Sequence, residues 1–349
     1  MILSFMRSRS RPLLVAAMLT TAACGGTTGG DSAPSTTEPE SVAASLTVFA
    51  TTSIWADIAS RALCSADVAS IIPIGSDPHS WEPSMATRGD LQSADLIIAN
   101  GLDLEEGLLP VLDAVEAEGL PVLHMSDHID LIGVGGAEQD EDHADDHDDH
   151  ADDDHADDDH ADDDHADEDH HHDGPDPHIW LDPIRVADAL PAIVDAAVAA
   201  GGNAAELATC AENYAEELTA LDAEITSTLA AIPPAERLLV TNHDALAYFA
   251  DRYGFEIVGT VIPSTSTMAE TNAADLAELA MTITDLGIGT VFTDAQSTDV
   301  DARALTERLD GVTVVPLLTG TLTSGAESGA DYISLLRYDA SAIAEALTP

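Results

Sequence analysis

The amino-acid sequence predicts an α/β protein with two similar lobes, each a parallel sheet flanked by helices. From residue 46 onward, apolar runs of strand length alternate with helical patterns, an order that favours parallel strands connected by helices. The same alternation starts again near residue 238, after a polar interruption and one long helical pattern. No apolar run approaches the roughly 20 residues of a membrane span. We therefore expect two lobes of ordinary domain size.

The charge balance excludes one broad class of partner. The chain carries 65 acidic residues against 11 basic ones, all of them arginine, and its formal net charge is −54. Such a surface repels phosphate, so nucleic acid is excluded as a partner. Residues 140–173 alone contain 20 acidic residues and no basic one, and the rest of the chain is strongly acidic as well.

The amino terminus has the order of an export signal. Three arginines precede a short apolar stretch, and small residues lead from there to Cys24. The stretch resembles a bacterial lipobox, although Thr21 stands where that pattern usually has Leu or Val. We expect residues 1–23 to be a signal peptide, Cys24 to be lipidated and residues 24–45 to be a flexible tether. The alternative is plain cleavage after Ala23.

Two more cysteines, Cys64 and Cys210, remain once Cys24 is assigned to the lipid. Outside the cytoplasm, a remaining pair of thiols is more often joined than free. A disulfide between Cys64 and Cys210 is therefore predicted, with two buried thiols as the alternative.

The elements of the two lobes follow the alternation in order. The first lobe is assigned to residues 46–202 and the second to residues 233–349. Strands are predicted at 46–50, 70–74, 96–100, 122–123, 238–241, 256–262, 291–293 and 312–316. Helices are predicted at 53–63, 105–118, 245–253, 270–286, 300–309 and 330–347, with a short helix between the second and third strands.

Between the lobes, residues 203–232 form an unbroken helical pattern with one apolar face, which Pro233 and Pro234 end. At 1.5 Å per residue, a helix of this length spans about 45 Å. Such a helix either joins the two lobes and limits their motion, or packs within one lobe. Periodicity alone favours neither alternative.

Five histidines lie outside the acidic segment, and three of them flank a predicted element. His79 comes after a strand, His178 lies just before a helix, and His243 follows a strand. In open α/β sheets, ligands bind at the carboxyl edge of the strands. One histidine at such an edge is more often structural than a ligand, but three at equivalent edges indicate a site.

A fourth candidate, Asp294, ends the predicted strand at 291–293. Two histidines from the first lobe, with His243 and Asp294 from the second, would form a four-coordinate site of three nitrogens and one oxygen. Three imidazoles and one carboxylate suit Zn(II), whereas Mn(II) favours more oxygen ligands. The sequence therefore predicts a Zn(II) site between the lobes.

Four motifs carry a resemblance to a known family. They are Asp77-Pro78-His79, Pro177-His178-Ile179-Trp180-Leu181-Asp182-Pro183, Thr241-Asn242-His243-Asp244-Ala245 and Asp294-Ala295-Gln296. Over about residues 46–349, the chain resembles the zinc branch of the metal-specific solute-binding proteins of bacterial ABC importers. The resemblance implies two lobes joined by one long helix and a metal captured between them. It also implies that the metal ligands are His79, His178, His243 and Asp294, and that the partners are a membrane permease and its ATPase.

Within this resemblance, the third ligand position separates the metals, because the manganese branch is expected to have Glu where this chain has His243. Glu82 lies near His79 in the sequence and is a further candidate. It would act either as a substitute ligand or as a residue that contacts a ligand without binding the metal. His124 and His128 match no ligand position and are interpreted as surface or loop histidines.

Residues 140–173 repeat the five-residue unit Ala-Asp-Asp-Asp-His, a period that fits neither a helix nor a strand. Like charges at this density oppose compaction, so a disordered loop is predicted. Its auxiliary metal candidates are His143, His147, His150, His155, His160, His165, His170, His171 and His172. We interpret the segment as a weak zinc collector, in keeping with the His-rich loops of the zinc branch. The alternative is a solvated insertion without a specific role.

The predicted function is that of a monomeric receptor, lipid-anchored outside the cytoplasm, that captures Zn(II) for an ABC permease and catalyses no reaction. Without lipidation the protein would be periplasmic or secreted. Two alternative functions are considered. One is an extracellular zinc buffer that serves no transporter, and the other is a zinc hydrolase. A hydrolase needs an open coordination position and a general base, and the sequence has no His-Glu-x-x-His pair. Manganese uptake is the alternative for the ion.

Overall fold

The computed structural model describes residues 46–64, 66–133, 174–297, 300–325 and 328–348, which belong to one compact unit, Ala44–Pro349. The predicted signal peptide, lipidated cysteine and tether, and the histidines of residues 140–173, lie outside the described residues. Within the described ranges, no helix is long and apolar enough to cross a membrane.

Four parallel strands form the sheet of the first lobe. They are β1 (Thr47–Ala50), β2 (Asp67–Ser70), β3 (Leu96–Ala99) and β4 (Val122–His124), in the spatial order β2-β1-β3-β4. The helices of this lobe are α1 (Ser53–Leu63), α2 (Thr87–Leu91), α3 (Leu109–Ala117) and α4 (Pro183–Ala199). The inner strand β3 is buried along its whole length, as expected for a parallel sheet with both faces covered.

After the long helix α5 (Ala204–Leu229), the second lobe repeats this arrangement. Its parallel strands are β5 (Leu238–Thr241), β6 (Glu256–Thr260), β7 (Thr290–Asp294) and β8 (Thr313–Leu317), in the order β6-β5-β7-β8. Its helices are α6 (Ala247–Tyr253), α7 (Ala273–Leu286), α8 (Val300–Thr306) and α9 (Tyr332–Leu347). The two sheets therefore share one strand order, and the predicted fold class of two similar α/β lobes is confirmed.

Helix α5 both joins the lobes and packs against them. It begins after Asn203, whose side-chain oxygen accepts hydrogen bonds from the backbone of Ala205 and Glu206. The buried residues along its one apolar face are Leu207, Ala211, Tyr214, Leu218, Leu221, Ile225 and Leu229. The helix contacts α1 and α4 of the first lobe and α9 of the second, so one apolar core runs through both lobes. A disulfide between Cys64 and Cys210 ties it to the end of α1.

The strand predicted at 70–74 is wrong in position, because β2 ends at Ser70. β2 is an edge strand whose residues alternate between partial and full exposure, so its sequence lacks the apolar run of an inner strand. The amides of Ile71 and Ile72 still bond to the carbonyls of Ala50 and Thr51. Pro73, which has no amide hydrogen, follows where the ladder stops.

The helix predicted at 105–118 is also different in the structure. A 3-10 turn, Glu106–Leu108, comes first, and α3 then starts at Leu109. Pro110 lies in the first turn of α3, where a missing amide hydrogen costs no helical hydrogen bond. The sequence pattern predicted a helical segment here but not its division into a 3-10 turn and an α-helix.

Candidate metal centre

The two histidines of the first lobe lie in turns of the same kind. His79 follows β2, and its backbone amide donates to Oδ1 of Asp77 at 3.1 Å. His178 precedes α4, and its amide donates to Oδ1 of Asp176 at 2.8 Å. In each Asp-Pro-His triplet, the Asp side chain therefore closes a turn on the amide two residues later, a common role of Asp.

Neighbouring elements hold the turn of His178 in place. Asn100, directly after β3, donates from its side-chain amide to the carbonyl oxygen of Pro177 at 2.8 Å. On the other side, Asp182 begins α4 by accepting a hydrogen bond from the amide of Ile184 at 2.8 Å. His178 is thus fixed between the carboxyl end of a strand and the start of a helix.

The second lobe contributes His243 and Asp294 from neighbouring strands. His243 follows β5, and Asp294 is the last residue of β7, which pairs with β5 in parallel. The carboxyl ends of parallel neighbours lie at one edge of the sheet, so the two side chains meet there. The hydroxyl of Thr241 donates to the carbonyl oxygen of His243 at 2.8 Å and shapes the turn.

The structure brings the three histidines together between the lobes. Nε2 of His178 lies 3.3 Å from Nε2 of His79 and 3.1 Å from Nε2 of His243. One potential ligand atom from each of the three residues lies within 4.8 Å of the others, and all three side chains are buried. Zn–N bonds of about 2.0–2.1 Å at tetrahedral angles place two nitrogens about 3.3 Å apart. The two distances from Nε2 of His178 therefore match the edge of a tetrahedral zinc site.

Carboxylates lie behind two of the imidazole rings. Oδ1 of Asp176 is 2.7 Å from Nδ1 of His178, and Oδ2 of Asp294 is 2.8 Å from Nδ1 of His243. A carboxylate at Nδ1 favours the tautomer with hydrogen on that atom, which leaves the Nε2 lone pair for a metal. Glu106 is less close, with 3.8 Å between its Oε1 and Nδ1 of His79.

Several side chains donate hydrogen bonds to Asp294. Besides its contact with His243, its Oδ2 accepts from the amide of Asn242 at 2.9 Å and its Oδ1 from the hydroxyl of Thr319 at 2.6 Å. Among the described residues, the group that could hold a metal consists of the three histidines. Asp294 adjoins that group through His243, and its role as a fourth ligand stays a prediction.

The other candidates lie elsewhere. Glu82 is exposed and outside the histidine group, so its role also stays a prediction. Nε2 of His124 is 2.9 Å from Oε1 of Glu116 near the surface. His128 is exposed at the end of a 3-10 turn, Met125–His128.

The pKa values indicate which groups carry charge. Burial, helped by His243 and His79, lowers the pKa of His178 well below its ordinary value. Burial also disfavours the charged form of His243, but the negative charge of Asp294 outweighs it and raises the pKa. For Asp294, burial is outweighed by the charge of His243 and by hydrogen bonds, which hold its pKa below the usual range. At neutral pH, His178 is thus neutral and Asp294 anionic, the forms that bind metals.

The sequence analysis missed the role of Asp176. Its side chain is buried and its second oxygen, Oδ2, has no hydrogen-bond partner among the described residues. Burial raises its pKa to about 7. The signal was present in the sequence, because Asp-Pro-His occurs twice and only the histidines were interpreted.

Two known proteins are similar to this chain in sequence. The zinc-binding lipoprotein AdcA of Streptococcus pneumoniae serotype 4 is 27% identical over 280 residues, which cover 80% of this chain and 51% of AdcA. The chain thus spans about half the length of that relative. The manganese ABC transporter substrate-binding lipoprotein PsaA of Streptococcus anginosus is 24% identical over 310 residues, covering 87% of this chain and 89% of PsaA.

A solved structure and a family model cover both lobes. The periplasmic zinc-binding protein TroA of Treponema pallidum superposes with a TM-score of 0.71 at 23% identity, covering 87% of this chain and 100% of TroA. This similarity supports the fold. The family model described as zinc-uptake complex component A, periplasmic, matches residues 48–346. Because that match extends over nearly all of both lobes, the chain belongs to the ZnuA family of zinc-uptake complex components.

Proposed function

We propose that this protein is an extracytoplasmic receptor that captures one zinc ion between its lobes and delivers it to an ABC permease. The observation that carries the proposal is the convergence of Nε2 of His79, His178 and His243, at 3.1 and 3.3 Å, in a buried site. Residues of both lobes contribute, so a bound ion would join them. The receptor performs no turnover, and the rest of the site serves to hold the metal.

Zinc is favoured over manganese by the donor set. Three imidazole nitrogens suit Zn(II), whereas Mn(II) prefers more oxygen donors. We propose that Asp294 becomes the fourth donor by exchanging its contact with Nδ1 of His243 for the ion, because its buried anion would offset part of the charge of the ion. PsaA, a relative described as manganese-binding, makes Mn(II) the second candidate for the transported ion.

The membrane partners follow from the family. We propose that Cys24 carries a lipid anchor, in line with AdcA and PsaA, which are both described as lipoproteins. The monomeric receptor would pass zinc to a permease whose ATPase drives uptake. We propose that the protein acts as a transport component and not as a hydrolase, in line with the binding proteins that it resembles.

The His-rich residues 140–173 are proposed to collect zinc for the site. Gly174 and Pro175, directly after this segment, line a cavity of about 670 Å³ that His79 also lines. The segment therefore joins the described chain beside the histidines. Its nine histidines would hold zinc weakly and raise the local concentration of the ion.

Metal competition on zinc-free protein starting at residue 46 tests the proposal. Zinc, manganese and cadmium are titrated against a metal-binding dye. We expect one tight equivalent and a preference for zinc over manganese. Preference for manganese would contradict the assignment of the ion, and the absence of any tight equivalent would contradict the receptor function.

A further inference from the structure

The Asp side chain of each Asp-Pro-His turn makes one more contact besides the hydrogen bond that closes the turn, and this contact differs between the two turns. Asp176 uses its turn oxygen, Oδ1, to hold the ring of its own histidine as well. Asp77 instead uses its other oxygen, Oδ2, to accept a hydrogen bond from the hydroxyl of Thr267 at 2.6 Å. Thr267 belongs to the second lobe. Asp77 therefore links the turn of His79 to the opposite side of the cleft.

The base of the cleft is fixed by buried aromatic side chains. The indole of Trp180 donates to the carbonyl oxygen of Thr319 at 3.0 Å, and the hydroxyl of Tyr332 donates to the carbonyl oxygen of Trp180 at 2.5 Å. The hydroxyl of Tyr248 donates to the carbonyl oxygen of Asp176 at 3.0 Å. Separating the lobes here would expose apolar surface and leave buried polar groups unpaired, which opposes a wide opening.

Unlike the base, the mouth of the cleft is closed by side-chain hydrogen bonds from an irregular segment. Residues 263–269, which we call the mouth segment, form neither helix nor strand. Together with His79, the mouth segment lines the cavity of about 670 Å³. Two side-chain hydrogen bonds tie it to the first lobe: Thr267 donates to Asp77, and Ser266 donates to Oε1 of Glu106 at 2.5 Å. Both are at least partly exposed, so breaking them costs less than opening the base.

We propose that Asp77 is a positioning residue that couples His79 to the mouth segment, so that the bond to Thr267 slows the release of zinc. The inference rests on the proposed function and adds to it the route by which zinc leaves the site. The ion leaves through the mouth when residues 263–269 move, while the base of the cleft stays closed. Because Asp77 also closes the turn of His79, a displaced mouth segment loosens the support of that ligand.

The test is the rate of zinc release from the zinc-loaded mature protein into an excess of a chromogenic chelator. Thr267→Val removes the hydroxyl but keeps the shape of the side chain. Thr265→Val is the matched control, because Thr265 lies in the same segment and its hydroxyl makes no hydrogen bond within the described part of the chain. We expect release from Thr267→Val to be about tenfold faster, as for the loss of one hydrogen bond to a charged group. Thr265→Val should match the wild type.

A double-variant cycle separates this role from a general loss of structure. Asp77→Asn should also speed release, and Asp77→Asn with Thr267→Val should be no faster than the faster single variant, because the two residues act as one pair. The melting temperatures of the zinc-free variants should fall by no more than the few degrees expected for one lost hydrogen bond. Equal release rates for the wild type and Thr267→Val, or additive effects in the double variant, would overturn the inference alone. A wild type that retains no zinc would overturn the proposed function itself.

Discussion

Oδ1 of Asp176 lies 2.7 Å from Nδ1 of His178, and neither side chain is more than 2% exposed. The same oxygen accepts the backbone amide of His178 at 2.8 Å. One carboxylate therefore fixes both the backbone and the ring of a candidate ligand. Partners of this kind orient a metal ligand and raise its basicity.

Replacement of Asp176 should weaken zinc binding without removing a ligand. We expect Asp176→Ala to lower zinc affinity roughly 10- to 100-fold, the usual cost of losing a residue that holds a metal ligand without binding the metal itself. Asp176→Asn should lie between Ala and the wild type, because its amide oxygen can still accept a hydrogen bond. Competition titration with a zinc dye measures the change, and Asp188→Ala, an exposed residue of α4, is the control. Equal losses for the Asp176 and Asp188 variants would contradict the positioning role.

Loss of a histidine of the centre should have a larger effect. We expect His243→Ala to lower zinc affinity more than the roughly 100-fold that outer partners reach, because one of the coordinating nitrogens is gone. His124→Ala is the matched control, since His124 forms a pair with Glu116 away from the centre. The same titration compares them. A comparable loss in His124→Ala would place the tight site elsewhere.

Zinc affinity should fall as the pH decreases. The raised pKa of His243 means that, below that pKa, zinc must displace a proton from this ligand. His178 has a lowered pKa and stays neutral in this range, whereas Asp176, with a pKa of about 7, acts in the same direction as His243. We expect affinity to decline from above pH 7 downward, with protons released on binding. Zinc titrations in buffers of different ionisation enthalpy measure that release, and pH-independent affinity between pH 6 and 8 would contradict the assignment.

The stability of the zinc-free protein should follow a different pH trend. A raised pKa of His243 in the folded state contributes stability that is fully present below its unfolded pKa, about 6.5, and is lost as the pH rises through the folded pKa. The lowered pKa of Asp294 contributes stability above its unfolded pKa, about 3.9, which is lost on acidification. Chemical denaturation at pH 6 and pH 8.5 must compare the wild type with Asp294→Asn, because the raised pKa values of Asp176, about 7, and Asp339, about 8, add to the loss in both proteins. We expect the metal-free wild type to lose stability between these values, and Asp294→Asn to lose less.

Deletion of residues 140–173 should separate two kinds of zinc binding. We expect the deletion to lower the total zinc bound at high concentration but to leave one tight equivalent, because the candidate ligands of the centre lie outside the deleted range. Equilibrium dialysis followed by elemental analysis measures both quantities. Loss of the tight equivalent in the deletion variant would show that the segment supplies ligands to the centre itself.

The sequence predicted the parts of the molecule that local patterns specify. The alternation of strands and helices predicted both sheets. The rule that ligands bind at the carboxyl edge of parallel strands predicted that His79, His178 and His243 lie near one another. What it missed depends on tertiary contacts. β2 is an edge strand without an apolar run, and the bond from Thr267 to Asp77 joins residues 190 positions apart. No local period marks such a pair.

Anomalous diffraction at the zinc absorption edge would locate the bound ion relative to the two lobes. From crystals of the zinc-loaded protein, we expect one strong peak between the lobes, about 2.0–2.1 Å from Nε2 of His79, His178 and His243 and about 2.0–2.2 Å from an oxygen of Asp294. A peak bound by only one lobe, or no ordered zinc among these three imidazoles, would show that the protein does not capture zinc between its lobes.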